Sequence, residues 1–357
     1  MRKLKPHGTL ILEAGGERVV DEELAKLLLL IEKTGSILSA SKTLRMSYSR
    51  AWESIARAEK ILRAKLVEPK RGGRKGGGAK LTKAGKRILS RYLEEYRRLF
   101  NKRLSIPGAE LEAPEIVYAG SNDLLLEHIF GLMRAEGVEH IEVAWVGSSG
   151  GLTLLMLGEA DLAGVHLYDP ESGEYNLPYI RRYWLDGRVV LVRGYEREIG
   201  FASRIEVNDP IELLIKGEIR LVNRNLGSGT RVLFDYVLKK KAEEVGKKFD
   251  ELVRAVKGYD KEVKTHLKVV ETIVAGRADI GLTTRWAAER YGLRFKPLKW
   301  ENFDFAISKC SISREPIKKF LKALTSEKTK GLVEKIPGYR IPSDIGKVIY
   351  GESLSDI

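Results

Sequence analysis

The chain has 357 residues, with 63 lysine and arginine residues against 49 acidic residues, a formal net charge of +14. This length allows two or three domains. The single cysteine, Cys310, excludes an internal disulfide framework and a cysteine-rich metal site. No apolar stretch approaches the roughly 20 residues of a membrane span. The apolar segment near the start of the sequence is too short for a signal peptide. We therefore expect a cytoplasmic protein without a membrane partner.

The first part of the chain predicts a small domain built around two short, closely spaced helices. Residues 8 to 20 alternate apolar and polar side chains, which suits a hairpin, and an apolar helix begins at Asp21. The next helix runs from Ser36 to Leu44, because apolar residues recur there at three- and four-residue spacing. A turn at residues 45 and 46 completes a helix-turn-helix pattern.

The helix after this turn predicts a DNA-reading surface. Ser47 precedes the run YSRAWESIARAEKIL as an N-cap, and the apolar positions of that run fall on one face. In helix-turn-helix proteins the first turn of this helix faces the major groove, where Arg pairs bidentately with guanine. A surface helix with a solvated basic face is the alternative. The residues assigned to DNA are Ser47, Tyr48, Ser49, Arg50 and Trp52.

A basic, glycine-rich loop, RGGRKGGG at residues 71 to 78, comes next. Its glycines let the backbone approach phosphates closely, and Arg71, Arg74 and Lys75 neutralise phosphate charge. The flanking segments, residues 66–67 and 79–82, are short enough to pair as two strands. The loop therefore predicts the wing of a winged helix-turn-helix rather than a flexible linker.

A long helix is predicted at roughly residues 83 to 102. Ile88, Tyr92, Tyr96 and Leu99 form an apolar seam along it. We expect this seam to contact a second copy of the chain in a homodimer. Packing of the seam on its own domain is the alternative.

The motifs of this region carry a family resemblance. The run TGSILSASKTLRMSYSRAWESI, followed by GGRKGGGAKLTKAGKRIL, closely resembles the N-terminal DNA-binding domain of the ModE family of molybdate-responsive transcription regulators, itself a LysR-like winged helix. The match covers about the first hundred residues. The resemblance implies that double-stranded DNA is a partner.

The distribution of charge supports this division of the chain. Residues 1–110 hold 26 lysine and arginine residues against 12 acidic ones, whereas the remaining residues hold 37 of each kind. The whole positive excess therefore lies where a phosphate-binding surface is expected. We predict a DNA-binding domain at residues 1–104 and a linker at residues 105–115.

Residues 116–357 predict an α/β effector domain. Strand, turn and helix patterns alternate, first from EIVYAG to RVVLVRGY and then from IRLVNR to DIGLTTRW. The chain then returns through the strand pattern LKWENFDFAISK. This alternation predicts parallel sheets covered by helices. Two such sets joined by crossing strands predict a two-lobed domain like the type II periplasmic binding proteins.

Three strand-to-helix turns of this domain predict an anion site. AGSND, GSSGG and NRNLGSGTR place small hydroxyl or glycine residues where helices begin. Free N–H groups and the positive helix end favour anions there, and ligands of open α/β sheets bind beyond the carboxyl ends of the strands.

Six further residues have alternative roles. Arg224 and Arg231 pair either with the anion or with a carboxylate that closes the lobes. His166 and His266 either line the cleft or are structural, and Tyr175 and Asn176 suit a lid or hinge. The complete set of predicted ligand residues is Ser121, Asn122, Ser148, Ser149, Gly150, His166, Tyr175, Asn176, Asn223, Arg224, Ser228, Gly229, Thr230, Arg231 and His266.

The effector domain also resembles a known class. GSSGGLTLL, GEADLAGVHLYDPESGEYNLPY, NRNLGSGTR and the pair Thr265-His266 are similar to the binding-protein-like domains of regulators that sense molybdate or tungstate. The resemblance implies an oxyanion effector, tungstate or molybdate, and no other cofactor or cationic metal. ModE proteins carry a pair of small β-barrel domains instead, so their ligand residues do not transfer.

Two other functions fit parts of the sequence. Gly147 to Gly151 match G-x-S-x-G, the nucleophile elbow of hydrolases, with Ser149 as nucleophile, His266 as base and Asp235 as its orienting partner. A regulator that senses a small organic effector, as LysR-type proteins do, is the other alternative.

Overall fold

The structure is a computed structural model that describes residues 8–70, 78–104, 106 and 114–351. The chain divides into two compact units, Met1–Glu115 with Leu157–Glu159 and Ile116–Met156 with Ala160–Ile357. The predicted wing cations, Arg71, Arg74 and Lys75, and most of the predicted linker lie outside the described residues.

The described residues of the first unit form two hairpins and four helices. Its elements are β1 (Leu12–Ala14), β2 (Glu17–Val20), α1 (Glu22–Thr34), α2 (Ile37–Thr43), α3 (Tyr48–Leu62), β3 (Val67–Lys70), β4 (Gly78–Leu81) and α4 (Lys83–Phe100). β1 pairs with β2 and β3 with β4, both antiparallel. This order confirms the predicted winged helix-turn-helix.

Three hydroxyl side chains start the helices of this unit. The Oγ atoms of Ser36 and Ser47 accept hydrogen bonds from the N–H groups of Ser39 and Arg50 at 3.1 and 3.2 Å. Thr82 caps α4 in the same way. Each cap satisfies an N–H group that has no partner within its helix. The apolar faces of α1, α2 and α3 then meet in one core.

The long helix α4 differs from its prediction in two respects. It ends at Phe100 rather than at residue 102, because Asn101 takes a left-handed conformation with φ 48°. Tyr92 and Tyr96 are buried within the described residues of this unit's core, and the Tyr92 hydroxyl donates to the Leu10 carbonyl at 3.1 Å. Ile88 packs against the same core, so three of the four residues of the seam predicted for dimerisation pack on their own domain, whereas Leu99 is exposed.

The second unit is an α/β domain. Its strands are β5 (Ile116–Gly120), β6 (Ile141–Trp145), β7 (Leu162–Val165), β8 (Val189–Ser203), β9 (Asn223–Arg224), β10 (Glu262–Val263), β11 (Ile280–Thr284), β12 (Arg294–Ser308), β13 (Tyr339–Arg340) and β14 (Val348–Tyr350). Its helices are α5 (Leu124–Ala135), α6 (Gly147–Leu157), α7 (Leu177–Arg182), α8 (Pro210–Ile215), α9 (Gly229–Glu244), α10 (Phe249–Ala255), α11 (His266–Val274), α12 (Arg285–Arg290), α13 (Glu315–Thr325) and α14 (Glu327–Val333).

Two long antiparallel strands, β8 and β12, run through this domain and join its lobes. The main sheet has the order β11-β8-β12-β7-β5-β6. Only its β7-β5-β6 part is parallel, and β9 with β10 forms a separate parallel pair. The prediction of parallel sheets was therefore incomplete. The strand predicted at RVVLVRGY continues to Ser203, because its second half pairs with β11 and β12.

Each lobe has its own hydrophobic core. The first lobe packs α5 and α13 against β5, the first half of β8 and the second half of β12 around Tyr118, Phe305 and Phe320. The second lobe buries Phe234 and Leu238 of α9 with its own strands. This arrangement confirms the predicted two-lobed fold. None of the helices in the described part of the chain has the length and apolar content to cross a membrane.

Candidate functional site

Four helices of the effector domain begin at one side-chain cluster. Asp123 precedes α5, Gly147 opens α6, Ser228 caps α9 and Thr265 caps α11. The loops before α6 and α9 touch, since the Ser149 N–H donates to the Gly227 carbonyl at 3.2 Å. The two lobes are therefore in contact at this point, and the side chains behind the contact are enclosed.

A hydrogen-bonded chain runs through His166 in this cluster. The imidazole Nδ1 lies 3.0 Å from Glu301 Oε2, and Nε2 lies 2.9 Å from Ser121 Oγ. Ser121 Oγ lies 3.0 Å from Ser148 Oγ, which in turn accepts the His166 backbone N–H at 3.2 Å. All four residues are buried. Sequence analysis selected three of them as ligand residues, and the structure brings these three together.

Arg197, at the centre of the cluster, was missed by the sequence analysis. Its Nε donates to Glu301 Oε1 at 2.5 Å and its Nη1 to Asp123 Oδ2 at 2.7 Å, while Nη2 is buried and has no partner in the part of the chain that the structure describes. Burial lowers the pKa of Arg197, but Glu301 and Asp123 outweigh burial and raise it. The sequence signal that could have identified Arg197 is the presence of charged residues within long apolar strands, as in REIGF and WENFDF.

Arg224 presents two further donors without acceptors. Its Nη2 donates to the Lys264 carbonyl at 3.0 Å, whereas Nε and Nη1 are buried and have no hydrogen-bond partner among the described residues. Burial and the neighbouring positive charge of Arg197 lower the pKa of Arg224 to about 9. A cation that is desolvated in this way favours a bound anion.

Thr230 and His266 complete the set of unpaired polar groups. The Thr230 hydroxyl and His266 Nε2 are buried without partners, and His266 Nδ1 lies 3.3 Å from Thr283 Oγ1. Burial lowers the pKa of His266 well below its ordinary value, and Arg224 and Arg197 lower it further.

Several other predicted ligand residues have partners within the domain. Asn176 accepts the Leu167 N–H at 2.7 Å and donates to Asp304 at 2.8 Å, and it takes a left-handed conformation with φ 63° before α7. Asn223 donates to the Tyr259 carbonyl at 3.2 Å and accepts the N–H of its neighbour. Since both amides are satisfied, they position backbone rather than present free groups to a ligand.

Arg231 and Tyr175 also have hydrogen-bond partners within the protein. Arg231 Nε lies 3.0 Å from both carboxylate oxygens of Asp235, and Nη1 lies 2.9 Å from Glu262. The Tyr175 hydroxyl donates to the Trp300 carbonyl at 3.4 Å. Arg231 thus forms ion pairs at the start of α9 with two carboxylates of its own lobe, rather than with a carboxylate that closes the lobes.

The remaining predicted residues lie at the edges of the cluster. Asn122 lines a cavity of about 60 Å³ together with His266 and Tyr339. Ser149 and Gly150 are half-buried in the first turn of α6, and Ser228 is buried as the cap of α9. Capping uses the N–H of the third helical residue, so the first two N–H groups of α9 have no acceptor within the helix.

The hydrolase hypothesis requires contacts that differ from those observed. Asp235 accepts hydrogen bonds from Arg231 and from the Tyr259 hydroxyl. The side chain of His266 contacts Thr283 instead of Asp235. Ser149 and His266 are not hydrogen-bonded in the described part of the chain. The proposed nucleophile, base and orienting acid are thus not assembled as a triad.

The predicted DNA-reading turn lies at the start of α3. Ser49, Arg50 and Trp52 are exposed, and Arg50 pairs with Glu23 at 2.7 Å. Tyr48 differs, because it packs against the hydrophobic core and its hydroxyl is buried. Three of the five predicted residues therefore present side chains on the open face, while Ser47 acts as the N-cap.

The buried histidines predict a pH dependence of stability. Burial lowers the pKa of both His166 and His266 below the ordinary value of 6.5. Below that pH the unfolded chain binds protons that the folded protein does not bind, so the free energy of unfolding should fall as the pH falls. The expected slope is at most about 1.4 kcal/mol per pH unit for each histidine. Urea unfolding at pH 7.5 and 5.5 measures this slope. An equal slope in the double variant His166→Gln/His266→Gln would contradict the prediction.

The close approach of α9 to His166 gives a second prediction. A Cβ atom on Gly229 would lie 2.2 Å from the His166 carbonyl oxygen and 2.4 Å from its Nδ1. Gly229→Ala should therefore destabilise the protein by about 1–3 kcal/mol through overpacking. Gly131 in α5 is the matched control, since a Cβ there meets no atom within 4 Å, and Gly131→Ala should stabilise by up to about 1 kcal/mol. Denaturant unfolding distinguishes the two. Equal stability of both variants would show that the contact is not close.

Comparisons with known proteins agree with this two-part organisation. The model of the PBP superfamily domain matches residues 131–325, and that of the lysR family of bacterial regulatory helix-turn-helix proteins matches residues 23–86. The uncharacterized protein YvgK of Bacillus subtilis (strain 168) is 28% identical over 283 residues, which cover 74% of this chain and 86% of that protein.

Two shorter matches carry regulatory or molybdenum-related names. The molybdenum-pterin-binding protein MopB of Rhodobacter capsulatus is 35% identical over 107 residues, which cover 28% of this chain and 39% of that protein. The DNA-binding transcriptional dual regulator ModE of Escherichia coli (strain K12) is 38% identical over 72 residues, which cover 20% of this chain and 28% of that protein. These matches span less than half of either relative.

Proposed function

We propose, for a chain that belongs to the PBP superfamily and joins such a domain to a LysR-type helix-turn-helix, that it is a DNA-binding transcription regulator whose effector is a tetrahedral oxyanion. Tungstate and molybdate are the proposed ligands. The observation that carries the proposal is the group of buried polar atoms without partners at the cluster.

Three guanidinium N–H donors lead this group, two on Arg224 and one on Arg197. A buried donor without an acceptor costs roughly 1–3 kcal/mol, and more when it is charged. The Thr230 hydroxyl and His266 Nε2 add two further polar atoms. An anion that consists almost entirely of acceptor oxygens would satisfy these groups together.

The carboxylates of the cluster favour a ligand that carries no proton. Asp123 accepts from Arg197, from the Tyr195 and Tyr339 hydroxyls and from a backbone N–H. Glu301 accepts from Arg197 and His166. Both carboxylates are thus engaged by the protein, which leaves neither poised to accept a hydrogen bond from a ligand hydroxyl. This supports a fully deprotonated oxyanion over hydrogen phosphate.

Enclosure favours a small ligand. The unpaired atoms are buried behind the contact between Ser149 and Gly227. A ligand with a large carbon skeleton would separate these loops, whereas a tetrahedral anion is compact. The molybdenum-related names of the relatives are consistent with this choice.

The N-terminal unit supplies the proposed DNA contacts. Exposed Ser49, Arg50 and Trp52 on α3 and the basic loop at residues 71–78 would meet DNA, and this region holds the excess positive charge of the chain. We further propose a homodimer, in which the exposed Leu99 of α4 is available for contact with a second copy.

Calorimetric titration of the full chain with tungstate, molybdate, sulfate, phosphate and a set of small organic acids tests the effector. We expect saturable binding of tungstate or molybdate, weaker binding of phosphate and a thermal stabilisation that grows with the logarithm of ligand concentration. Binding of an organic acid without any response to the oxyanions would overturn the proposal in favour of an organic effector. Turnover of an ester substrate that vanishes in Ser149→Ala would instead support the hydrolase.

A further inference from the structure

The direction of the hydrogen bonds at His166 has a consequence for the ligand. His166 Nδ1 faces the Glu301 carboxylate, which only accepts, so Nδ1 carries a proton. In the neutral imidazole Nε2 is then an acceptor, and the hydroxyl of Ser121 donates to it. Ser148 next donates to Ser121. In this state both serine protons point toward the histidine.

Protonation of His166 would reverse this chain without breaking any of its contacts. Nε2 would donate to Ser121 Oγ, and Ser121 would donate to Ser148 Oγ. Ser148 Oγ would continue to accept the His166 backbone N–H, and its own O–H would become free. The Ser148 hydroxyl, at the end of this series of hydrogen bonds, thus offers a ligand only an acceptor when the imidazole is neutral. It offers a donor when the imidazole is charged.

We propose that His166 is a positioning residue of the anion site, and that an oxyanion which accepts a hydrogen bond from Ser148 draws one proton from solvent onto His166. The proposal rests on the proposed function, because it needs an acceptor-only ligand at the start of α6. One bond forms, the N–H bond at His166 Nε2, and one bond breaks, the bond that held this proton in the buffer acid. Each hydroxyl keeps one proton, and the imidazole gains the proton that the buffer loses.

The surroundings of His166 balance its two states. Burial and the cations Arg197 and Arg224 favour the neutral imidazole, whereas Glu301 favours the charged one. His266 is the other titratable group that faces it. Phe303 stacks on the ring with a centroid distance of 5.5 Å and carries no charge. A bound dianion would add negative charge to this group and favour the protonated form.

Calorimetric titration of the full chain with sodium tungstate at pH 8, in Tris and in HEPES, tests the proposal. Their different ionisation enthalpies reveal how many protons are taken up, and we expect about one per bound tungstate. The Kd should rise about tenfold for each pH unit between the pKa of His166 in the free protein and its higher pKa in the complex. His166→Gln should bind without proton uptake, whereas His266→Gln, even if it binds more weakly, should keep it.

The possible results separate this proposal from the proposed function. Tungstate binding without proton uptake would overturn the proposed protonation of His166 and leave the proposed oxyanion sensor intact. No tungstate binding at all would overturn both proposals. Proton uptake that is lost in His266→Gln and kept in His166→Gln would assign the proton to His266 and overturn the proposed protonation of His166.

If His166→Gln does not fold, ring-nitrogen NMR of the wild type decides. Among the five histidines of the chain, His166 should change from one protonated nitrogen to two when tungstate is added, and an unchanged signal would refute the proposal.

Discussion

Arg224→Met should weaken oxyanion binding strongly while leaving the free protein at least as stable as the wild type. Two nitrogen atoms of Arg224, Nε and Nη1, are buried without partners among the described residues. This desolvated cation lowers the stability of the free protein, and a bound ligand would supply the missing acceptors. Charge-assisted hydrogen bonds contribute roughly 1.5–3 kcal/mol each. The loss of two should therefore weaken tungstate or molybdate binding by about a hundredfold or more. Calorimetric titration and urea unfolding of the same sample measure both effects.

Arg231→Met is the matched control and should behave in the opposite way. Both arginines are buried and only seven residues apart, but Arg231 is paired with Asp235 and Glu262. Its removal leaves two carboxylates without their partner, so we expect lower stability and largely retained oxyanion binding. If Arg231→Met lost binding and Arg224→Met kept it, the anion site would have to be placed around Arg231.

Local features of the fold could be predicted from the sequence because their causes are local. Ser36, Ser47 and Thr82 each precede an apolar helical run and each caps the predicted helix. A cap needs only one hydroxyl and the N–H three residues later. The serines at the helix starts of the effector domain were found by the same reasoning.

The centre of the site depends on pairing between distant strands, which local patterns do not contain. Arg197 and Glu301 are 104 residues apart, and they face each other because they are register partners on β8 and β12. A shift of one residue would turn either side chain to the other face of the sheet. The sequence did contain a signal that separates Arg231 from Arg224, because Asp235 follows Arg231 by four residues, the spacing of an ion pair on a helix.

Neutralising the predicted wing should weaken binding to DNA of every sequence. Arg71, Arg74 and Lys75 lie outside the described residues, so this prediction depends on the composition of the loop and on the paired strands β3 and β4 that hold it. Each phosphate contact releases about one counterion. The triple glutamine variant should therefore reduce the slope of log affinity against log salt by about three, roughly one for each lost contact.

A charge-matched control makes this result specific to the wing. Lys318, Lys322 and Lys335 are exposed in the effector domain, and their triple glutamine variant removes the same net charge. If the wing touches phosphate, the wing variant should lower the slope more than this control, because contact with phosphate releases counterions whereas a change in net charge alone acts through salt-screened interactions. Equal slopes for both variants and the wild type would remove the loop from the interface. An equal decrease in both variants would show that net charge, rather than contact by the wing, sets the affinity.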